Sequence, residues 1–142
     1  MKAQRLRSKN QEGAGLVEFA ILAPLLVILL FGLLEFGLSL YAKEALTNAS
    51  REGARYGVVY CSPRRTSGQI ITQVQDYLTK SGFTDTPSVK VTGAGGDTGS
   101  VLTVSVTYPY AFQVLPGIFS SFFNSTMTGT VTMQANTAIV ME

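Results

Sequence analysis

Leu16–Tyr41 reads LVEFAILAPLLVILLFGLLEFGLSLY, and Glu18 and Glu35 are its only charged residues. The uninterrupted apolar stretch Phe19–Leu34 rises roughly 24 Å as a helix. With its flanks to Tyr41 it reaches the thickness of a bilayer core, about 30 Å. A core helix of a water-soluble protein shows one polar face, and Phe19–Leu34 shows none. The stretch is therefore read as a transmembrane helix. Pro24 is compatible with that reading, because proline is tolerated in membrane helices and can kink them.

The rest of the chain agrees. Its 142 residues suit one compact domain beside one membrane helix. Only 14% are charged, where a soluble domain carries nearer a quarter, and the deficit is concentrated in one segment. There is no His, and Cys61 is the single cysteine. This excludes His-based acid–base chemistry, His triads and His/Cys zinc sites. It also excludes a disulfide within the chain. The net charge of +2 is too small to point to nucleic acid. No catalytic constellation stands out. The outer acids Glu44, Glu52, Asp76, Asp85, Asp97 and Glu142 are scattered. The expectation is a protein that is not an enzyme and carries no cofactor or metal.

Ahead of the apolar helix lies MKAQRLRSKNQEG, with Lys2, Arg5, Arg7 and Lys9 against Glu12. Basic flanks stay in the cytoplasm, so the N-terminus is expected inside and the C-terminal domain outside. A secretory signal peptide would have a shorter apolar region ending at a small-x-small site. Here Ala42-Lys43-Glu44-Ala45 runs directly into a helical pattern.

An acidic side chain at the edge of a membrane helix is costly unless something satisfies it. Glu18 stands five residues after Gly13, which closes the basic leader. Gly13-Ala14-Gly15-Leu16-Val17-Glu18-Phe19 resembles the processing site of type IV prepilins. The resemblance implies cleavage after Gly13 by a prepilin peptidase, leaving Ala14 as the new N-terminus. It also implies that Glu18 pairs with the N-terminal amine of a neighbouring subunit. An ammonium beside unpaired helix N–H groups favours a nearby anion. Such a pair would fix axial register between packed helices. On Glu18 alone, simple placement at the cytoplasmic interface stands level with this reading. The Gly-to-Glu spacing, the basic leader and the apolar helix together favour the pilin reading. Glu35, seventeen residues on, faces roughly 100° away from Glu18, so the two form no common site. It is read as an interface residue, with contact to a partner's helix as the sharper alternative. Gly32, Gly37 and Ser39 near it permit close helix packing.

Beyond Tyr41 the helical pattern continues through AKEALTNASREGARYGVVY to about Tyr56 or Tyr60, with Pro63 as its stop. Ser50-Arg51-Glu52-Gly53-Ala54-Arg55-Tyr56 resembles the S-R-E-G-A-R-x segment of TadE-like proteins. Val17-Glu18-Phe19-Ala20 followed by Pro24 resembles the N-terminal helix of the same family. The resemblance covers the first 60 residues or so and implies a minor pilin or pseudopilin of a bacterial tight-adherence (Tad) pilus. The family's major pilin is much shorter and nearly all helix, so the large outer domain implies a minor subunit. The implied partners are other pilins, Tad assembly components, the prepilin peptidase and the lipid bilayer, with no nucleic acid. The implied location is the bacterial inner membrane and then a surface pilus with a role in adhesion. Arg51, Glu52 and Arg55 are candidate helix contacts. A solvated ion pair between Glu52 and Arg55 is the simpler reading.

The outer domain is read as one helix and a sheet. Ser67–Ser81 carries Ile70, Ile71, Val74, Tyr77 and Leu78 at helical spacing, with Gly82 as its stop. Ser88–Thr92, Val101–Tyr108 and Thr128–Met141 alternate as strands. This gives an α+β fold: a long helix packed on a three- or four-stranded antiparallel sheet. The corresponding layout is a leader (1–13), a membrane helix (14–41), its outer continuation (42–62) and an outer domain (63–142). Gly93–Ser100 has no Lys and joins two strands, so it is a hairpin loop and not a phosphate loop. Pro109–Asn124 is very apolar. Leu115, Ile118, Phe119, Phe122 and Phe123 suit one face of a short helix filling the core beneath the sheet. A partner patch or contact with the outer leaflet is the alternative. Cys61 is read as a free thiol, with pairing between chains as the alternative.

Overall fold

The computed structural model describes residues 4–112, 114–117, 120 and 129–142, with side chains from Gly13 onward. Helix α1 spans Gln4–Val58 and contains Pro24 without a break. Two compact units share it: Met1–Gly37 with Phe112–Thr128, and Leu38–Ala111 with Gly129–Glu142.

In the first unit α1 is long and apolar enough to cross a membrane, and its most apolar 18-residue window is wholly unburied. Leu16, Phe19, Ile21, Leu22, Leu25, Leu26, Leu29 and Leu33 all stand exposed. Water would oppose such a surface at about 25 cal/mol per Å², whereas lipid accepts it.

The second unit is an α+β domain. Helix α2 covers Ser67–Lys80, and strands β1 (Ser88–Thr92), β2 (Val101–Ala111) and β3 (Thr130–Val140) follow. The sheet is antiparallel in the order β1-β2-β3. Its register sets Val106 opposite Ala135 and Leu102 opposite Ile139. Because side chains alternate, Leu102, Val104 and Val106 of β2 all point to one face and are fully buried. Leu46, Ala49, Ala54 and Val58 of α1 and Ile70, Val74 and Leu78 of α2 complete that core. Each large apolar side chain so buried stabilises the fold by about 1.5–3 kcal/mol.

Local chemistry sets the element ends. Helix α2 starts in a capping box: the Gln69 N–H donates to Thr66 Oγ1 at 3.4 Å, and the Thr66 N–H donates to Gln69 Oε1 at 3.0 Å. It ends where Gly82 takes φ +89°. There the Gly82 and Phe83 N–H groups donate to the Thr79 and Leu78 carbonyls, each at 3.1 Å. Helix α1 ends at Val58, inside the expected range but ahead of Pro63. The group that closes it is Arg65. Its Nη1 donates to the Tyr56 carbonyl, and its guanidinium lies 3.7 Å from the centre of the Tyr56 ring. A cation at a helix C-terminus satisfies a carbonyl that the helix itself leaves unpaired.

Candidate functional site

The processing segment lies on α1. Gly13, Ala14, Gly15 and Glu18 are all exposed, and a side chain at Gly13 or Gly15 would meet nothing within 4 Å. Glu18 follows Ala14 by one helical turn, on the same face and about 6 Å further along the axis. Among the described residues it has no hydrogen-bond or ion-pair partner. A few residues on, Phe19, Leu22, Ala23, Leu25, Leu26 and Leu29 line an apolar hollow of about 380 Å³.

Glu35 stands differently. It is completely buried, and its Oε2 accepts the Val114 N–H at 2.8 Å. Both residues belong to the first unit. The spacing of Glu18 and Glu35 gave no sign of this, because the partner is a main-chain group 79 residues away. Of the apolar segment, Pro109, Tyr110 and Ala111 continue β2 in the second unit, while Phe112 and Val114–Gly117 group with Met1–Gly37 and are not among the described core residues beneath the sheet. Leu115 falls in a helical turn, while Ile118, Phe119, Phe122 and Phe123 lie outside the described residues.

The block Ser50–Tyr56 lies in the second unit, where its small residues do the packing. Ser50 is fully buried. Its Oγ is 2.9 Å from the Thr47 carbonyl and 2.7 Å from Thr137 Oγ1 on β3. A hydroxyl has one proton, so Ser50 donates to Thr47 and Thr137 donates to Ser50. Gly53 faces Val74 with no room for a methyl group. At Gly57 a Cβ would come within 2.5 Å of Leu102 and 2.7 Å of Ile70. The charged residues of the block point elsewhere. Arg51 and Arg55 are exposed and Glu52 is half-buried, and among the described residues none of them is joined in an ion pair. Lys43 of α1, which the sequence did not single out, donates to the Gln134 carbonyl of β3.

The remaining chemistry is sparse. Cys61 is a free, half-buried thiol. Among the described residues no cluster of three or more His, Cys, Asp or Glu could hold a metal. Burial, and secondarily the charge of Asp85, raise the Tyr108 phenol above its ordinary value of 10.0.

Among the described residues one helix is long and apolar enough to cross a membrane, and its second half packs on a small sheet, the arrangement of a single-pass membrane protein with an α+β domain. Residues 13–55, the stretch that holds Gly13, Glu18, Glu35 and Arg55, match the family model of TadE-like proteins. No curated protein and no solved structure matches the chain.

Proposed function

We propose that the protein is a minor pilin of a Tad-type pilus, with a role in assembly and not catalysis. In this reading it sits in the bacterial inner membrane with its basic leader in the cytoplasm and its α+β domain outside. A prepilin peptidase cuts after Gly13. The Ala14 ammonium of one subunit then neutralises Glu18 of the next as the apolar helices pack side by side.

The observation that carries this reading is Glu18 itself: a carboxylate on a bare apolar helix, with no partner among the described residues of its own chain. A membrane acid without a partner costs a few kcal/mol at depth and less towards the interface. A sister subunit's amine is the group that the proposed cut would create.

A second reading, a non-polymerising tether that recruits pilus or envelope proteins, draws support from α1. The helix runs unbroken through the Gly13–Ala14 bond, so a peptidase must unwind it there. Gly13 and Gly15, on either side of Ala14, ease unwinding, since each weakens a helix by about 1 kcal/mol relative to Ala.

N-terminal sequencing of protein from native membranes separates the two. A start at Ala14 is expected, and an intact leader in cells with active peptidase would leave the tether. Glu18→Ala is expected to insert and fold normally but to reduce recovery of the subunit in sheared pili. Undiminished recovery would remove the inter-subunit pairing.

A further inference from the structure

Lipid offers no hydrogen bonds, so a main-chain N–H lying against a membrane helix needs an acceptor from protein. The carbonyls within such a helix are already taken by its own hydrogen bonds. A segment that docks on it must therefore find its acceptor in a side chain. A buried carboxylate on a membrane helix has the converse need. The Val114 N–H and Glu35 Oε2, 2.8 Å apart, answer both requirements at once.

Depth and composition point the same way. Glu35 lies seventeen residues after Glu18, or about 25 Å along the helix, at the opposite edge of a bilayer core about 30 Å thick. From Thr98 to Met141 no residue is charged. Val114, Leu115 and Pro116 are only half-buried, and they belong to the unit of the bare helix and not to the core of the sheet domain. Pro116 has no N–H of its own to satisfy.

We propose that Phe112 and Val114–Gly117 form a membrane-interface anchor. It rests at the headgroup–acyl boundary of the outer leaflet, and Glu35 is the positioning residue that holds it against the membrane helix. Its partner is the lipid surface, and the remaining exposed flank of Val114–Pro116 faces the acyl chains. The outer domain is thereby tied to the bilayer at a second point besides α1. This holds for a pilin awaiting assembly and for a tether alike, so its test is independent of processing at Gly13.

The test uses the full-length chain with Cys61→Ser, reconstituted in vesicles of phosphatidylcholine and phosphatidylglycerol. An environment-sensitive fluorophore is placed through Leu115→Cys or, as an exposed control on β3, Thr132→Cys. Nitroxide-labelled lipids serve as quenchers. The Leu115 label is expected to emit blue-shifted from the Thr132 label and to be quenched several-fold more strongly by a shallow nitroxide. Glu35→Gln keeps an acceptor oxygen and should preserve this quenching. Glu35→Ala removes the acceptor and should bring quenching down towards the Thr132 level. A Leu115 label as water-exposed as the control would overturn the anchor, with or without the Glu35 variants. Undiminished quenching in Glu35→Ala would overturn the role given to Glu35. A label shielded only when subunits are crowded, and not quenched by lipid, would assign the segment to a sister subunit instead.

Discussion

Gly53 shows what the Ser50–Tyr56 block is for. The sequence draws the eye to Arg51, Glu52 and Arg55, because charges announce themselves and glycines do not. In the folded chain Arg51 and Arg55 face solvent and Glu52 is half-buried, while Ser50, Gly53, Ala54 and Gly57 bring α1 against α2 and the sheet. A methyl group at Gly53 would overlap Val74. Gly53→Ala is therefore expected to destabilise the outer domain by about 1–3 kcal/mol, the usual cost of overpacking. Gly32→Ala, where nothing lies within 4 Å, should leave that stability unchanged. Denaturant unfolding of the two variants in detergent, followed by tyrosine fluorescence, makes the comparison. Equal midpoints would mean that the close approach at Gly53 carries no energetic weight. Glu35 teaches the complementary lesson. Its isolation in an apolar run was plain, but its partner was not, because a main-chain N–H contributed by a distant loop leaves no mark in the sequence.

At the scale of elements the period of the apolar residues was sufficient. Ile70, Val74 and Leu78 recur every four residues and become the buried face of α2. Val104 and Val106 alternate and become the buried face of β2. What periodicity does not contain is how elements are closed. Pro63 was the visible stop for α1, yet Arg65 caps it from the following loop. The link between the end of α2 and β2 was equally hidden: Phe83, just past the α2 cap, meets Tyr108 edge to face with ring centres 5.0 Å apart. Burial in the fold disfavours the charged phenolate, and Asp85 adds a repelling charge, so the folded state holds the Tyr108 proton more tightly than the unfolded state does. The sign follows from linkage. The unfolded chain loses this proton first, at about pH 10. Stability is thus fully present below that pH and is lost as pH rises through the higher folded-state value. Melting temperature should fall through this alkaline range. Tyr108→Phe should remove part of that fall and Asp85→Asn a smaller part. An alkaline profile unchanged by Tyr108→Phe would mean that the loss arises at another group.

For the whole molecule, the apolar segment between β2 and β3 is the place where the sequence leaves most open. Read along the chain, Pro109–Asn124 looked like filling for the core of the sheet, because apolar composition says that a segment leaves water without saying which surface receives it. Among the described residues the core of the sheet domain is built from α1, α2, β2, β3 and Met141. The register makes this testable. Ala111 pairs directly with Thr130, and two strands ending in such a pair can be joined by a two-residue turn such as Asn-Gly. A chain that begins at Tyr41 and carries Asn-Gly in place of residues 112–129 keeps every residue of that core. It also keeps the Tyr41 hydroxyl bond to the Ser81 carbonyl, 3.0 Å, and loses both the exposed apolar helix and the segment that groups with it. It is expected to be soluble without detergent and monomeric by light scattering. It should melt in a single cooperative transition and show dispersed methyl signals from the buried valines and leucines. If it instead aggregates or lacks that dispersion, residues 112–129 or the membrane half of α1 belong to the folding unit of the outer domain, and the second attachment to the bilayer through Glu35 becomes a requirement for folding rather than an anchor on a finished domain.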